Sequence, residues 1–273
     1  MNGVACRAPV AAPASQFTPA FYGYSLQSIS TALLGIWRTF AVVFFSLCAL
    51  VHNAIRIPFV RQNRRLHARA AWLHGWCRFA CRVLGIRVTK RGSMPSSGLL
   101  VSNHLSYLDI VVLSSIRPCV FVAKRDVANW PLFGWLAHAA GTIFVDRERR
   151  FSSIKTVDLM REAIAGGAVV VLFPEGTSSD GATVLPFKSA LLESATQFRC
   201  PVASASIDYA LDDGSVADEI CYWRDMTLVP HLLNLLFKRE IRANYLFSPP
   251  QIRSGNRKEI ARELRDEIVL LRL

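Results

Sequence analysis

Short apolar runs and helix-type patterns alternate through most of this chain. Continuous runs rich in Val, Ile and Leu predict buried strands at 98–103, 119–124, 142–147, 168–176 and 200–209. Residues 85–92 and 242–247 predict two further strands. Helical spacing predicts helices at 107–116, 130–141, 151–167, 189–198 and 256–272. This alternation predicts an α/β fold, a mostly parallel sheet flanked by helices.

A longer apolar run, residues 29–51, precedes this pattern and contains one charged residue, Arg38. A bilayer span needs about 20 mostly apolar residues, so the run predicts a membrane-spanning helix. Arg38 near its middle opposes that prediction, because a central arginine costs roughly 2.5–3.5 kcal/mol. A re-entrant or interfacial segment is therefore the alternative. The arginines that cluster after residue 55 predict that the rest of the chain is cytoplasmic, at the inner membrane if the organism is bacterial.

These patterns divide the chain into three segments. Residues 1–25 have no periodic pattern and are predicted to be a disordered tail, residues 26–65 a helical membrane anchor segment, and residues 66–273 the α/β domain. Residues 66–84 have helical spacing with a wide aromatic face and added arginines. That helix suits either the bilayer interface or the protein core. Residues 210–225 are expected to form an acidic loop, and 226–237 an apolar segment too short to span a membrane.

Composition narrows the class of partner. The chain is 52% hydrophobic with a formal net charge of +12, which favours an anionic surface, either nucleic acid or a membrane leaflet. The basic residues cluster beside apolar segments, so we expect a membrane and no nucleic acid. The seven cysteines contain no CxxC pair and are interpreted as small buried residues. No cluster of metal-ligand residues occurs, so no metal is predicted.

His104 and Asp109 stand where a buried strand ends and a helix begins, in "NHLSYLD". One interpretation is structural: Ser106 would cap the helix and Asp109 would complete a capping box. The other is catalytic. With His104 in the preceding loop, Asp109 can accept the imidazole N–H and raise the basicity of the other nitrogen, which can then take a proton from a hydroxyl.

Two further polar clusters follow strands of the same predicted sheet. Arg147, Arg149 and Arg150 follow one strand, and "FPEGTSSDG" (173–181) follows another. Glycine, serine and threonine residues allow close approach of an anion. Because ligands gather at the carboxyl ends of strands in such sheets, the three clusters together favour a catalytic or binding site.

These stretches resemble the glycerolipid acyltransferase superfamily, which includes the 1-acylglycerol-3-phosphate and lysophospholipid O-acyltransferases. "NHLSYLD" (103–109) matches the NHxxxxD motif, "GTIFVDR" (141–147) the second block, "FPEGTSS" (173–179) the third, and "CPVASASI" (200–207) loosely the fourth. The resemblance covers about residues 66–210. It implies that the α/β domain is an acyltransferase domain.

The resemblance implies a membrane-bound enzyme that moves an acyl chain from acyl-CoA or acyl-carrier protein to the free hydroxyl of a lysophospholipid. The first expectation for the acceptor is 1-acyl-glycerol-3-phosphate, which would give phosphatidate. His104 would be the general base and Asp109 would orient it. No cofactor is expected beyond the acyl donor as co-substrate. The positions implied to bind the acceptor head group are Lys124, Arg147, Glu175, Gly176 and Thr177.

One position departs from the family pattern. Many lysophosphatidate acyltransferases have Arg after the Gly-Thr of the third block, where this chain has Ser178. A phosphate contact is lost unless Lys188 or an arginine at 147–150 replaces it. An acyltransferase for another lysolipid, such as lyso-ornithine lipid, is therefore the alternative. A thioesterase or a non-catalytic lipid-binding protein is less favoured, because no G-x-S-x-G elbow occurs and the motif residues are intact.

Overall fold

The structure is a computed structural model that describes residues 26–145, 150–193, 195 and 198–273, without the side chains of 26–29 and 150–154. The tail predicted at 1–25 lies outside the described residues, and so do Arg147 and Arg149.

An eight-stranded sheet forms the centre of the described chain. Its strands run in the order β1-β7-β6-β2-β5-β3-β4, and β8 pairs with β6. Strands β2 to β6 run parallel, whereas β7 lies antiparallel to β6, and β1 is parallel to β7. The α/β class with a mostly parallel sheet is confirmed. The strand bounds are β1 Ile86–Arg91, β2 Gly98–Ser102, β3 Val120–Lys124, β4 Ile143–Val145, β5 Val169–Leu172, β6 Pro201–Ala210, β7 Ile241–Phe247 and β8 Gln251–Ile252.

Helices cover both faces of this sheet. Helices α2, α3, α4 and α7 contribute to one apolar core, and α5 and α8 to the other. The expected acidic loop contains the short helix α6, which Ser215 caps by accepting from the backbone N–H of Asp218. The helix bounds are α1 Leu26–Arg56, α2 Arg65–Leu84, α3 Leu108–Ile116, α4 Phe133–Ala140, α5 Arg150–Ala165, α6 Val216–Glu219, α7 Leu228–Phe237 and α8 Arg257–Leu271.

Three predicted elements differ from the structure. β5 ends at Leu172, because turns begin at Pro174 and Gly176 has a positive φ of 74°. The helix predicted at 130–141 begins at Phe133, after a 3-10 turn. Of the helix predicted at 189–198, residues 189–192 form turns and only 193 and 195 are helical among the described residues.

The apolar N-terminal helix α1 packs along the α/β domain through its polar positions. The Arg38 guanidinium is 5% exposed and donates to the carbonyl oxygens of residues 236, 238 and 239, at the end of α7. Asn53, at the other end, donates to the Ala139 carbonyl oxygen over 3.2 Å. The charge that opposed a membrane helix is therefore directed into the protein and away from lipid.

The opposite face of α1 carries large exposed apolar side chains. By length and composition α1 could cross a membrane. The exposed residues include Leu33, Ile36, Trp37, Phe40, Phe44, Leu47, Val51 and Ile55. This face is consistent with association of the protein with a membrane.

Helix α2 packs against α1 on one side and against the apolar core of the α/β domain on the other. Its Trp72 and Trp76 indoles donate to the Ala49 carbonyl oxygen and the Ser46 hydroxyl of α1, over 2.9 and 3.1 Å. Leu73 and Cys77 of α2 are buried in the core. Of the two interpretations for this helix, the structure supports the one in which it packs on the protein core.

Candidate active site

The site lies at one edge of the sheet, where parallel strands end. His104 follows β2, Lys124 ends β3, and the loop that contains Gly176 and Thr177 follows β5. Since β2, β3 and β5 are parallel neighbours, their carboxyl ends meet at this edge. The topology thus brings together segments that are up to 73 residues apart, since 177 − 104 = 73.

His104 and Asp109 form a direct hydrogen bond at this edge. Nδ1 of His104 lies 2.7 Å from Oδ2 of Asp109, and the side chains are 19% and 0% exposed. Oδ2 also accepts the backbone N–H groups of Leu105 and Ser106, over 2.7 and 3.1 Å. Because an ionised carboxylate only accepts, Nδ1 is the donor and Nε2 is left for a substrate.

The capping-box interpretation of Asp109 is only half right. The carboxylate does accept the backbone N–H of Ser106, but the Ser106 hydroxyl has no hydrogen-bond partner and does not cap α3. The loop instead curls around the carboxylate, which collects three N–H donors on one oxygen. Such convergence orients the imidazole as well as starting the helix.

Three residues that sequence reasoning missed support this pair. The Phe173 ring stacks on the His104 ring, with centroids 4.2 Å apart. The Asn103 side chain pairs with the backbone of Ile207 through bonds of 2.8 and 3.0 Å, so β2 and β6 stay joined up to the loop that contains His104. The Tyr209 hydroxyl donates to Oδ1 of Asp109 over 2.7 Å. Phe173 and Asn103 lie within the quoted motifs, whereas Tyr209 follows a buried run and carried no signal.

Glu175 supports the loop that contains His104. It is 2% exposed, and its carboxylate accepts the backbone N–H groups of His104 and Leu185, over 2.9 and 3.2 Å. Burial raises the pKa of Glu175 to about 7, although the two N–H donors oppose the rise. These contacts give Glu175 a positioning role, and its predicted contact with a head group stays a prediction.

A cavity of about 270 Å³ opens beside His104. Its polar lining includes His104, Lys124, Gly176, Thr177, Ser178 and Tyr222. Its apolar lining comes largely from α2, α3 and α4 and includes Leu73, Cys77, Val111, Phe133, Leu136 and Ala137. The cavity can therefore accept a molecule with one polar and one hydrocarbon end beside a base.

The remaining predicted contacts divide into two groups. Lys124, Gly176 and Thr177 line the cavity, as expected for contacts with a head group. Lys188 is exposed and lines a separate pocket of about 210 Å³, so the structure does not place it at the His104 cavity. Arg147 lies outside the described residues.

Ser178, the residue that departs from the family pattern, has a defined structural role. Its hydroxyl donates to the backbone carbonyl oxygen of Tyr222, and the Tyr222 N–H donates to the Leu105 carbonyl oxygen over 2.8 Å. Ser178 and Leu105 therefore hold the segment around Tyr222 against the loop that contains His104. Among the described residues that line the cavity, Lys124 is the only lysine or arginine.

Titratable groups elsewhere in the described chain add no second centre of this kind. Cys77, Cys119 and Cys221 are buried, as predicted, whereas Cys48 is exposed, contrary to the prediction. Burial raises the pKa of Cys119 and Cys221 to about 12, so both thiols stay protonated. Over the described residues, no group of three His, Cys, Asp or Glu side chains could hold a metal ion.

Comparison with known proteins agrees with this geometry. A family model described as acyltransferase matches residues 85–208. The lyso-ornithine lipid O-acyltransferase of Rhizobium meliloti is 38% identical over 208 residues, which cover 70% of this chain and 71% of that protein. This chain belongs to the acyltransferase family. The enzyme class and the lysolipid class of substrate expected from the sequence are confirmed at the level of the family.

Two other similarities were found. The 1-acyl-sn-glycerol-3-phosphate acyltransferase of Neisseria gonorrhoeae is 32% identical over 155 residues, which cover 53% of this chain and 61% of that protein. The crystal structure of the 1-acyl-sn-glycerophosphate (LPA) acyltransferase PlsC from Thermotoga maritima aligns with a TM-score of 0.65 at 18% identity, over 90% of this chain and 98% of that one. The similarity to the Thermotoga maritima structure supports the fold alone.

Proposed function

We propose that His104 and Asp109 catalyse direct transfer of an acyl chain from a thioester to the hydroxyl of a lysolipid bound in the cavity. The observation that carries this proposal is the 2.7 Å bond from His104 Nδ1 to Asp109, which leaves Nε2 as a base in a cavity lined by both polar and apolar residues. Acyl-CoA and acyl-carrier protein are both suitable donors, because the chemistry needs only the thioester.

In the proposed step, Nε2 of His104 takes the hydroxyl proton while the hydroxyl oxygen attacks the thioester carbonyl carbon. The C–S bond of the tetrahedral adduct then breaks, and the departing thiolate takes the proton from the imidazolium. The products are an ester and a free thiol, and no acyl-enzyme forms. Asp109 stabilises the imidazolium between the two transfers, and general base catalysis of this kind contributes about 10²–10⁴-fold in rate.

For the acceptor head group we propose an ornithine-type amino acid in preference to a phosphate. A phosphate is bound best by several cations or by a bidentate arginine. At the third motif, Ser178 supplies no charge, and its hydroxyl already bonds the Tyr222 carbonyl oxygen. Lys124 can pair with the single carboxylate of an ornithine lipid. The similarity to a lyso-ornithine lipid O-acyltransferase supports the same choice.

For the membrane, we propose that α1 lies on the cytoplasmic leaflet and does not cross the bilayer. Its contacts with the domain extend from Arg38 to Asn53, a length of about 22 Å at 1.5 Å per residue. A helix packed on its own domain over that length is not surrounded by lipid across a bilayer. Its exposed face suits insertion beside the lysolipid, and the arginines after residue 55 favour the anionic cytoplasmic leaflet.

The test is an assay in detergent with labelled palmitoyl-CoA or palmitoyl-acyl-carrier protein and, in parallel, lyso-ornithine lipid and lysophosphatidate. We expect more product from lyso-ornithine lipid, and loss of nearly all product with His104→Ala. Ser178→Arg should shift the preference towards lysophosphatidate, because it adds the missing cation. Ser178→Ala is the matched control, since it removes the same hydroxyl without adding charge.

Each part of the proposal can fail separately. An active, folded His104→Ala protein would refute the base role. Product from lysophosphatidate alone in the wild type would refute the proposed head group and leave the catalytic role intact.

A further inference from the structure

Tyr209 lies on the central strand β6, directly behind the catalytic pair. It is buried, and its hydroxyl donates to Oδ1 of Asp109 over 2.7 Å. The other carboxylate oxygen, Oδ2, already accepts from His104, Leu105 and Ser106. Among the described residues, Tyr209 is therefore the hydrogen-bond donor that fixes the second oxygen of a fully buried carboxylate.

A second buried tyrosine offers a natural comparison. Tyr245 lies on β7, next to β6, on the same face of the sheet and in the same apolar core. It is 1% exposed, yet its hydroxyl makes no hydrogen bond to Asp109. The two side chains thus share size, burial and surroundings, and they differ in contact with the catalytic carboxylate.

We infer that Tyr209 is a positioning residue for catalysis, because its hydroxyl both orients the Asp109 carboxylate and limits how strongly that carboxylate holds the imidazolium. This inference rests on the proposed role of His104 as the base. Without the Tyr209 hydroxyl, Oδ1 would be buried and unsatisfied, and the carboxylate could turn about its Cβ–Cγ bond. The His104 imidazole would then be less rigidly oriented, and Nε2 would be less accurately placed against the substrate hydroxyl.

The electrostatic consequence has a definite sign. A hydroxyl that donates to a carboxylate draws part of its negative charge away from the imidazole. Loss of that donor concentrates the charge on the side of His104, so the imidazolium releases its proton less readily. The neutral base then becomes available only at higher pH.

Other titratable groups also face this pair. Those in the described part of the chain are Tyr107, Lys124, Glu175 and Tyr222 around the cavity, and Tyr245 and Cys221 towards Asp109. All of them except the replaced residue are the same in the variants compared. A change confined to the Tyr209 variant therefore reports on the Tyr209 hydroxyl.

The experiment compares the pH dependence of kcat/KM for the wild type, Tyr209→Phe and Tyr245→Phe in the same detergent. We expect Tyr209→Phe to lower kcat about tenfold, less than the 10²–10⁴-fold that a general base supplies, with little change in KM for the lysolipid. Its acid limb should move to higher pH by about 0.5. Tyr245→Phe should keep the wild-type acid limb.

A second variant decides the question if Tyr209→Phe does not fold. 3-Fluorotyrosine at position 209 keeps the ring and the hydroxyl but makes the hydroxyl a stronger donor, so the acid limb should move to lower pH. An acid limb that stays in place in the folded Tyr209 variants, or equal losses in the two Phe variants, would overturn the inference. An inactive His104→Ala protein with those results would leave the proposed function standing.

Discussion

Replacement of Asp109 by Asn tests the catalytic pair with little disturbance of the fold. The amide oxygen can keep the three N–H donors that now share Oδ2. The amide NH2 group then faces the Tyr209 hydroxyl, which can accept as well as donate. The substitution therefore removes the negative charge while the shape of the site and the three bonds to the other oxygen are preserved, and only the bond with Tyr209 reverses its direction.

The size of the effect follows from the separation of the charges. The bonded atoms are 2.7 Å apart, and charge centres about 4 Å apart attract by about 4 kcal/mol at an effective dielectric constant near 20. Each 1.36 kcal/mol is a factor of ten in rate, so kcat should fall by about 10³. The fall should appear in single-turnover acyl transfer, with the melting temperature nearly unchanged. If the folded variant kept activity within about tenfold of the wild type, Asp109 would serve only to start α3.

Three further predictions concern helix α1, the apolar lining of the cavity and the buried carboxyl group of Glu175. Arg38→Leu leaves carbonyl groups at the end of α7 unpaired, so the protein should lose about 2–3 kcal/mol of stability, measured as a lower melting temperature. Arg38→Lys should recover part of that loss. An unchanged melting temperature in Arg38→Leu would contradict a stabilising role for these hydrogen bonds. Ala137→Phe fills part of the apolar lining of the cavity, so with a mixture of acyl-CoA chain lengths the transferred acyl chains should become shorter. An unchanged distribution of chain lengths in the product would mean that the acyl chain binds elsewhere. The folded-state pKa of Glu175 is about 7, above its unfolded value. As the pH rises from 4.5 to 7, the free energy of unfolding of the wild type should therefore fall by up to about 3 kcal/mol relative to that of Glu175→Gln. Equal pH dependence of the two melting temperatures would refute this sign.

The sheet was predictable because its central strands are short continuous apolar runs between helical patterns. Strand partners were not predictable in the same way. β7 lies between β1 and β6 and runs antiparallel to β6, although its sequence gives no direction. Periodicity reports which faces of a strand are buried, and it carries no information on the neighbour that a strand pairs with.

The contact between His104 and Asp109 was predictable because the two residues are close in sequence and stand at a strand end. Tyr209 was not, since a tyrosine at the end of an apolar strand is typical of any core. Arg38 was interpreted as a charge in lipid because a linear sequence does not show which way a side chain points. In the structure it finds backbone carbonyl groups from residues about 200 positions away.

Two main-chain hydrogen bonds of Tyr222 join its segment to the rest of the site, and its ring contacts Tyr107, Trp130 and His231. Ser178 bonds the carbonyl oxygen of residue 222 and Leu105 accepts from its N–H, while the side chain lies free of both bonds in the cavity wall. A change of side chain at 222 can therefore reshape the cavity wall while both main-chain bonds remain. The support of the loop and the shape of the cavity are encoded by different atoms of one residue, so a single substitution can alter the second and keep the first.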